Sequence, residues 1–277
     1  MEKLFISVVM TTYNWPAALK AALRGLAAQT VQNFEVIVAD DGSKDDTRIL
    51  VENLAQQFPI SLTHVWQEDL GFRASRARNL AILKARGNYL VFIDGDCIAR
   101  PDFIARHQAL ASSQRFVAGN RLLLNQDLSR QALEQQLPLH TWSFGEWFRQ
   151  YRQGNCNRLL PLLRLPLGPL RYALPKRWQG AKGCNLGVWK TDLAAINGWE
   201  EKFQGWGYED SDLVQRLIQL GIQGTLGHCA LGVIHLWHSE NDRSRERGNW
   251  QMWQNHAQQK RIQAEIGLKE HNSDNSV

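Results

Sequence analysis

The chain lacks several features that mark common classes of protein. Its 277 residues include only four cysteines (Cys97, Cys156, Cys184 and Cys229), and no two of them form a CxxC pair, which argues against a zinc site and a disulfide framework. No apolar run approaches the ~20 residues that a helix needs to span a bilayer. No GxGxxG or GxxxxGK(S/T) pattern occurs, which argues against a dinucleotide oxidoreductase and a P-loop nucleotidase.

The net charge and the first residues limit the partners and the cellular location that we expect for the protein. A net charge of +5 and a pI near 9.1 are compatible with nucleic acid, an anionic membrane surface or phosphate-bearing substrates. Because the Lys and Arg residues are dispersed, we expect no nucleic-acid partner. The opening MEKLFISVVMTTYN contains no apolar core as long as that of a signal peptide. We therefore expect a cytoplasmic protein, soluble or peripheral at the inner face of a membrane.

The first hundred residues alternate between short apolar runs and segments with helical spacing. Strand-like runs lie at 4–10, 34–39, 62–66 and 89–93, and helix-like segments lie at 17–28, 45–57 and 74–86. This alternation predicts an α/β protein with a mainly parallel central sheet flanked by helices. Later segments predict a strand and a short helix in 183–199, a helix at 209–220 and a polar helix from Asn249 onward.

Polar clusters follow four of the predicted strands. They are the stretches 11–14, 40–43, 71–73 and 94–96. In open parallel sheets, ligands bind beyond the carboxyl ends of the strands, where loops and helix amino termini converge. The sequence therefore predicts a single crevice that all four stretches line.

The stretch FIDGDC places two carboxylates after a strand, with Gly95 allowing a tight turn between Asp94 and Asp96. Carboxylate oxygens suit a hard cation such as Mn²⁺ or Mg²⁺, which also binds the phosphate oxygens of a substrate. An acidic turn after a strand is common without a metal, so the motif gains weight from a second acidic turn. That turn, at 40–43, offers Asp41 for a base or a ribose, although Asp and Ser there also suit helix capping.

Two later stretches supply further candidates. WGYEDSDL places Glu209, Asp210 and Asp212 at a helix start, where the helix dipole stabilises carboxylates and one of them could act as a general base. VIHLWHSEN places His235 and His238 after an apolar run, where either imidazole could complete a metal site or be purely structural.

Taken together, the stretches SVVMTTYN, VIVADDGSKDDT, GFRASRARNLAILKARGNYLVFIDGDC and GWGYEDSDL resemble an inverting family-2 glycosyltransferase of the GT-A fold, which is Rossmann-like. The later stretch GAKGCNLGVWKTDLAAINGWEEKFQGWGYEDSDL is similar to the carboxyl-terminal region of β-1,4-galactosyltransferases and to domains of bacterial chondroitin polymerases. The resemblance extends to about residue 240.

The resemblance implies a function and roles for particular residues. The protein would transfer a hexose or N-acetylhexosamine from a UDP-sugar to a glycan or lipid-linked acceptor hydroxyl, with Mn²⁺ or Mg²⁺, in bacterial surface polysaccharide synthesis. Asp210 would be the catalytic base, with Glu209 binding hydroxyls. Asp96, with Asp94 and either His235 or His238, would hold the metal. The nucleotide-sugar would contact Thr12, Tyr13, Asn14, Asp41, Arg73, Arg78, Asn79, Asp94, Gly95 and Trp206.

The resemblance also implies a domain division. Residues 1–245 would form one GT-A catalytic domain, with a nucleotide-sugar half at 1–120 and an acceptor half at 121–245, followed by a helix and tail at 246–277. The Leu-, Pro- and Arg-rich segment 157–178 departs from the family pattern. We expect little regular structure there, and either a peripheral membrane contact or a mobile lid.

Two other classes remain as alternatives. A non-catalytic carbohydrate-binding module is favoured only by the eleven tryptophans, ten of them beyond residue 60. A sugar-nucleotide nucleotidyltransferase also uses carboxylates and a metal, but it normally begins with a glycine-rich, basic first loop, and MTTYNW is neither.

Overall fold

The computed structural model describes residues 4–172, 181–240 and 242–272, and its frame is a seven-stranded sheet with helices on both faces. The strands are β1 (Ile6–Thr12), β2 (Phe34–Asp40), β3 (Ser61–Trp66), β4 (Tyr89–Asp94), β5 (Cys97–Ile98), β6 (Arg115–Ala118), β7 (Asn120–Leu123), β8 (Asn185–Trp189), β9 (Gln223–Leu226) and β10 (Gly232–His235). The helices are α1 (Pro16–Ala27), α2 (Asp45–Ala55), α3 (Ala74–Lys84), α4 (Phe103–Leu110), α5 (Gln126–Glu134), α6 (Phe144–Arg152), α7 (Lys190–Ala195), α8 (Glu209–Gln219), α9 (Glu246–Gln258) and α10 (Leu268–Asn272).

The large sheet is mainly parallel, as predicted. Its strand order is β3-β2-β1-β4-β8-β6-β9, and β8 runs antiparallel to both of its neighbours. The central strands read as nearly continuous apolar runs because helices cover both faces of the sheet. One buried cluster on β1, β2 and β4 packs with α1, and a second on the same strands packs with α3 and α8.

The register of this sheet aligns the polar strand ends. Thr12 of β1 lies opposite Asp40 of β2, and Thr11 lies opposite Asp94 of β4. Three polar clusters that are far apart in sequence therefore meet at one edge.

A second, three-stranded sheet brings in residues from the end of the chain. Its order is β5-β10-β7, and His235 of β10 lies opposite Cys97 of β5. This pairing places His235 beside Asp96, a contact that spans more than a hundred residues of sequence.

Strands from both predicted halves of the catalytic domain belong to the same large sheet. β4 and β6, which precede residue 120, both pair with β8, which follows it. The division at residue 120 stays a prediction, and the two halves share one framework.

The described part of the segment 157–178 is less irregular than expected. Its described part contains two 3₁₀ turns, Leu160–Leu162 and Gly168–Tyr172, with Leu162 buried against β7 and β10. Arg171 donates to the carbonyl oxygens of Leu226 and His228 at 2.7 and 2.8 Å, which fixes the second turn. Positions 173–178 of the predicted segment and 273–277 of the predicted tail lie outside the described residues. Within the described ranges, none of the helices is both long enough and apolar enough to cross a bilayer.

Candidate active site

A crevice with two connected lobes opens at the carboxyl edge of the large sheet. The first lobe has a volume of about 310 Å³ and the second about 270 Å³, and Arg78, Asp94, Trp206 and Glu209 line both. The first lobe is also lined by Thr11, Thr12, Tyr13, Trp15, Asp41, Phe72, Ala74, Gly95, Asp96, His238 and Ser239. The second is also lined by Arg121, Lys182, Gly183, Cys184, Gly207, Tyr208, Asp210, Ser211 and Glu246.

Asp41 lines the first lobe. Its Oδ1 accepts a hydrogen bond from Gln67 Nε2 at 2.5 Å, and its Oδ2 accepts one from the backbone N–H of Arg73 at 2.8 Å. Burial raises the pKa of Asp41 to about 6, although both bonds act to lower it. The carboxylate is therefore ionised at neutral pH, and each oxygen retains a lone pair that can accept from a ligand N–H or hydroxyl.

The residues before α1 divide between the lobe and the framework. Thr12 and Tyr13 line the lobe, and the Tyr13 hydroxyl donates to Asp69 Oδ2 at 2.9 Å. Asn14 is not part of the lining. Its N–H donates to Ser43 Oγ at 2.8 Å and its Oδ1 accepts from the Lys44 N–H at 2.9 Å, so these two groups join two loops.

Two other predicted donor-binding residues are held by the framework to different extents. The Arg73 guanidinium donates to the Glu68 carbonyl oxygen at 2.6 Å and its backbone N–H donates to Asp41, while its buried Nε has no hydrogen-bond partner among the described residues. Asn79 is fully buried. Its amide bonds the Trp199 backbone at 2.8 and 2.9 Å and Glu201 at 2.8 Å, so it holds α3 to the segment after α7 and has no free group for a diphosphate.

Arg78 lies at the junction of the two lobes. Its Nε donates to Thr11 Oγ1 at 3.0 Å, and its Nη2 lies 3.3 Å from Asp94 Oδ1. Its Nη1 lies 3.8 Å from Glu209 Oε1 and has no hydrogen-bond partner among the described residues. The guanidinium carbon lies 4.4 Å from the centre of the Trp199 ring. A buried guanidinium that is held in place in this way can bind an anionic group of a ligand that lies between Asp94 and Glu209.

Asp96 lies beside both predicted histidines. Its Oδ2 is 3.7 Å from His235 Nε2 and 3.5 Å from His238 Nε2. Because His238 Nδ1 lies 2.6 Å from the Ser239 carbonyl oxygen, Nδ1 carries a proton, and Nε2 is the ring nitrogen that faces the carboxylate and could bind a metal. Burial lowers the pKa of His235, which favours a neutral ring there.

This arrangement fits a divalent cation. Asp96, Cys97 and His235 each offer a ligand atom, and these atoms lie within 4.8 Å of one another. Asp96 Oδ1 is buried and bonds to no other described residue, and lone pairs that face one another repel unless a cation lies between them. The Cys97 thiol was not anticipated as a neighbour, and burial raises its pKa, so an oxygen and nitrogen ligand set is favoured.

Asp94 lies outside that group of ligand atoms and faces Arg78. Burial raises the pKa of Asp94, against the opposing effect of Arg78. This position favours the predicted contact with the ribose or sugar over metal ligation. Between the two aspartates, the Gly95 N–H donates to the Thr11 carbonyl oxygen at 2.7 Å, and a Cβ at Gly95 would lie only 3.0 Å from the same oxygen.

Glu209 and Asp210 begin α8 at the second lobe. Burial, followed by repulsion from Asp210, raises the pKa of Glu209 to about 7, while Arg78 acts to lower it. Asp210 Oδ2 lies 3.4 Å from the Gly183 N–H, and the side chain lines the lobe. The third acidic residue, Asp212, is structural. It is almost wholly buried and pairs with Arg216 Nε at 2.7 Å and with His256 Nδ1 at 2.8 Å.

Sequence reasoning missed several lining residues. Arg121 of β7 and Lys182 add cations to the second lobe, and Tyr208 and Glu246 add an aromatic ring and a carboxylate. Lys182 and Tyr208 lie in stretches that carry the family resemblance but were given no role, whereas Arg121 and Glu246 lie outside those stretches. Arg121 occurs in the unremarkable stretch NRLL, and only the pairing of β7 with β10 brings it near Asp94.

The sheet is mainly parallel, and its carboxyl edge carries Asp96 with two histidines and, nearby, the pair Glu209 and Asp210. This is the arrangement that the resemblance to GT-A glycosyltransferases implies. The comparisons with known proteins agree. The model "Glycosyl transferase family 2" matches residues 7–161, and "N-terminal domain of galactosyltransferase" matches residues 170–238. The chain belongs to glycosyltransferase family 2, which confirms the resemblance noted in its sequence.

Two curated relatives cover most of this chain. Validoxylamine A glucosyltransferase of Streptomyces hygroscopicus subsp. jinggangensis is 30% identical over 243 residues, which is 82% of this chain and 54% of the relative. Chondroitin synthase of Escherichia coli is 26% identical over 239 residues, which is 78% of this chain and 32% of the relative. The chain thus spans about half the length of the first of these relatives and a third of the second.

Solved structures show the same fold at low sequence identity. S. aureus TarS 1-349 in complex with UDP-GlcNAc has a TM-score of 0.64 and 15% identity, covering 96% of this chain and 69% of that one. Mannosyltransferase PcManGT of Pyrobaculum calidifontis, in complex with GDP-Man and Mn²⁺, has a TM-score of 0.56 and 17% identity, covering 91% and 61%. The predicted GT-A fold is therefore confirmed.

Proposed function

We propose that the protein transfers a hexose or N-acetylhexosamine from a UDP-sugar to a hydroxyl of a glycan or lipid-linked acceptor, with inversion at the anomeric carbon. The biological setting proposed is bacterial surface polysaccharide synthesis. The observation that carries the proposal is the division of groups between two connected lobes: Asp41, Asp96 and His238 line the first lobe, Asp210 lines the second, and Arg78, Asp94 and Glu209 line both.

The first lobe suits the nucleotide. Asp41 accepts a hydrogen bond from the base, Thr12 and Tyr13 border it, and Asp94 contacts the ribose or the donor sugar. Arg78 offsets the charge of the diphosphate, because its buried Nη1 has no hydrogen-bond partner among the described residues and the side chain lines both lobes. A UDP complex of S. aureus TarS and the GDP-Man complex of PcManGT support a nucleotide diphosphate ligand in this fold.

Asp96 and His235 or His238 would hold Mn²⁺ or Mg²⁺. When bound, such a cation supplies Lewis-acid stabilisation of the negative charge on the departing diphosphate. The Mn²⁺ in the complex of PcManGT supports this choice.

Asp210 acts on the acceptor. It accepts the proton of the acceptor hydroxyl while that oxygen forms a bond to the anomeric carbon and the bond to the UDP oxygen breaks. UDP leaves with the electron pair of that bond. Glu209 lies beside Asp210 in the lobe and binds a sugar hydroxyl, while Trp206 forms part of the floor under the sugar.

The test is incubation of the protein with UDP-, GDP- and dTDP-sugars and Mn²⁺, with detection of the nucleoside diphosphate released. We expect UDP release that increases with acceptor. A nucleotidyltransferase would instead form or release pyrophosphate, and a binding module would release nothing. Either of those results would refute the proposal.

We also infer that the segment at 157–172 contacts an anionic membrane surface. Leu165 and Leu170 are 46% and 67% exposed, and Leu165 borders a cavity with Arg106, Arg164 and Arg171. Asp102 pairs with Arg106 and Arg164 and is the only acidic partner described for that cluster, so positive charge remains beside apolar side chains.

Vesicle flotation tests this contact against the alternative that the segment is a lid. The double variant Leu165→Ser with Leu170→Ser should float less than the unaltered chain on vesicles containing phosphatidylglycerol. Vesicles of phosphatidylcholine alone should float neither. Equal flotation of variant and unaltered protein on the anionic vesicles would exclude the membrane role.

A further inference from the structure

Helix α9 begins at Glu246, beyond the last residue, 238, of the two family matches, yet it is fixed to the catalytic region by a buried polar network. Asp212 of α8 accepts from His256 Nδ1 at 2.8 Å and from Arg216 Nε at 2.7 Å. Arg261 donates to His256 Nε2 at 2.8 Å, so His256 is neutral and donates through Nδ1. Burial acts to raise the pKa of Asp212, but Arg216 and His256 outweigh it, and the carboxylate stays charged.

The start of α9 also holds the loop before α8. Asn249 is buried, and its Nδ2 lies 3.2 Å from the Gln204 carbonyl oxygen and 3.4 Å from that of Trp206. Gly205 has a φ of +75°, and a Cβ there would lie 2.7 Å from Arg245 Cβ. The close approach shows that the loop carrying Trp206 and the beginning of α9 pack as one unit.

Three aromatic side chains join α9 to the second lobe. The rings of Tyr208 and Trp250 have centroids 5.2 Å apart, and Trp250 stacks on Trp253 at 4.9 Å with an interplanar angle of 22°. Tyr208 adopts a φ of +70°, a left-handed conformation that costs a non-glycine residue free energy and persists where neighbours enforce it. The contact with Trp250, at an interplanar angle of 50°, therefore fixes the direction of the Tyr208 ring, and Tyr208 lines the lobe together with Asp210.

The geometry points to an acceptor subsite that α9 completes. We propose that a sugar ring of the acceptor lies on the Tyr208 ring, with Trp250 supporting that ring from behind, and that Glu246 accepts a hydrogen bond from one of its hydroxyls. Aromatic faces bind the apolar C–H face of a sugar, and a carboxylate at the rim binds its hydroxyls. The acceptor is then a carbohydrate, and α9, outside both family matches, contributes to its recognition.

This inference rests on the proposed function, because it takes Asp210 as the base. In an in-line displacement the acceptor oxygen approaches the anomeric carbon opposite the leaving diphosphate, within hydrogen-bond reach of that base. The cavity lined by Trp15, Trp237 and His238 also contains two tryptophans. Asp210 does not line it, so an acceptor hydroxyl bound there would not reach the proposed base.

The experiment compares Trp250→Ala, Trp250→Phe and Glu246→Gln with Gln251→Ala, an exposed position on the same helix. The acceptors are methyl glycosides of glucose, galactose, N-acetylglucosamine, N-acetylgalactosamine and glucuronic acid, tested with UDP-sugar and Mn²⁺. Two rates are measured for each variant: transfer to glycoside, and release of UDP in the absence of acceptor. Saturation-transfer NMR of each glycoside in the presence of UDP and Mn²⁺ adds a binding readout that does not depend on turnover.

Trp250→Ala should raise the acceptor KM about fivefold to tenfold, which is the scale of one aromatic stacking contact. Trp250→Phe should retain most of the affinity, Glu246→Gln should raise KM about threefold to tenfold, the scale of one hydrogen bond, and Gln251→Ala should change nothing. Acceptor-free UDP release should fall less than transfer in Trp250→Ala and Glu246→Gln, and the melting temperature of Trp250→Phe should stay near that of the unaltered chain.

Three results would overturn the inference. One is an unchanged acceptor KM in both Trp250→Ala and Glu246→Gln. Another is an equal loss of acceptor-free UDP release and of transfer, which would show a general disturbance of the site. The third is an active wild-type protein to which no glycoside binds or transfers. A wild-type protein that releases no UDP from any UDP-sugar would instead refute the proposed function itself.

Discussion

Replacing Asp210 by Asn tests the central chemical claim. The change keeps the shape of the side chain and its place in the second lobe, but it removes the group that takes the acceptor proton. General base catalysis is typically worth about 10²- to 10⁴-fold in rate, or about 3 to 5 kcal/mol of transition-state stabilisation. We expect kcat to fall by that factor, because an amide cannot accept the proton.

Donor binding should be nearly unaffected by this change. Asp41, Asp96 and His238 line the first lobe, and Asp210 is not part of its lining. Removing the charge of Asp210 also removes a repulsion that raises the pKa of Glu209 above its ordinary value, so Glu209 should ionise at lower pH in the variant.

The assay combines initial rates of UDP release in the presence of acceptor with calorimetric titration of UDP and Mn²⁺. The matched control is Asp127→Asn, which alters an exposed carboxylate on α5 that pairs only with Arg130 in the described structure. Retention of near-normal transfer by Asp210→Asn would refute its role as the base. A tenfold loss of UDP affinity would show that the donor and the acceptor do not bind in separate lobes.

The remaining predictions concern the cation, pH and stability. Asp96→Asn should weaken Mn²⁺ binding at least about tenfold, as measured by the electron paramagnetic resonance signal of free Mn²⁺, since it removes a charged ligand whose second oxygen is buried; unchanged Mn²⁺ affinity would contradict the site. The affinity for UDP should fall as pH drops through about 6, because Asp41 then becomes protonated, and Asp41→Asn should abolish that dependence; a calorimetric pH series on both proteins checks it. The raised pKa of Asp41 means that the folded state holds this proton more tightly than the unfolded chain, so its contribution to folding is present at low pH and is lost as pH rises through about 6. Asp212→Asn should cost about 3 to 5 kcal/mol and lower Tm by roughly 6 °C or more, because Arg216 would be left buried without its carboxylate; a calorimetric scan showing no change would mean that this network does not secure α9.

The first strands and helices could be predicted from the sequence because the patterns that indicate them are local. The apolar runs at 4–10, 34–39, 62–66 and 89–93 became β1 to β4 with shifts of one or two residues at their ends. The helical spacing between them became α1, α2 and α3. The spacing of apolar residues is a property of positions close together in the chain, so strands and helices can be predicted from it without the tertiary structure.

Side-chain roles were less readable because they depend on contacts between distant segments. Asn79 and Asp94 both lie in stretches that resemble the family. However, the amide of Asn79 is hydrogen-bonded to Trp199 and Glu201, and Asp94 pairs with Arg78. A motif sets the position of a residue along the backbone. The neighbouring residues in the folded protein decide which partners its polar group binds.

The sequence by itself determined the β-α alternation, the placement of polar clusters at strand ends and the pair of aspartates around Gly95, since each follows from residue types within a few positions. Only the tertiary structure decided that both His235 and His238 face Asp96, that Arg78 joins the two lobes, and that Tyr208 is held by a helix more than thirty residues further along the chain. The physical reason is that charge, burial and hydrogen-bond satisfaction are properties of a packed neighbourhood, and the chain assembles that neighbourhood from segments that no local pattern connects.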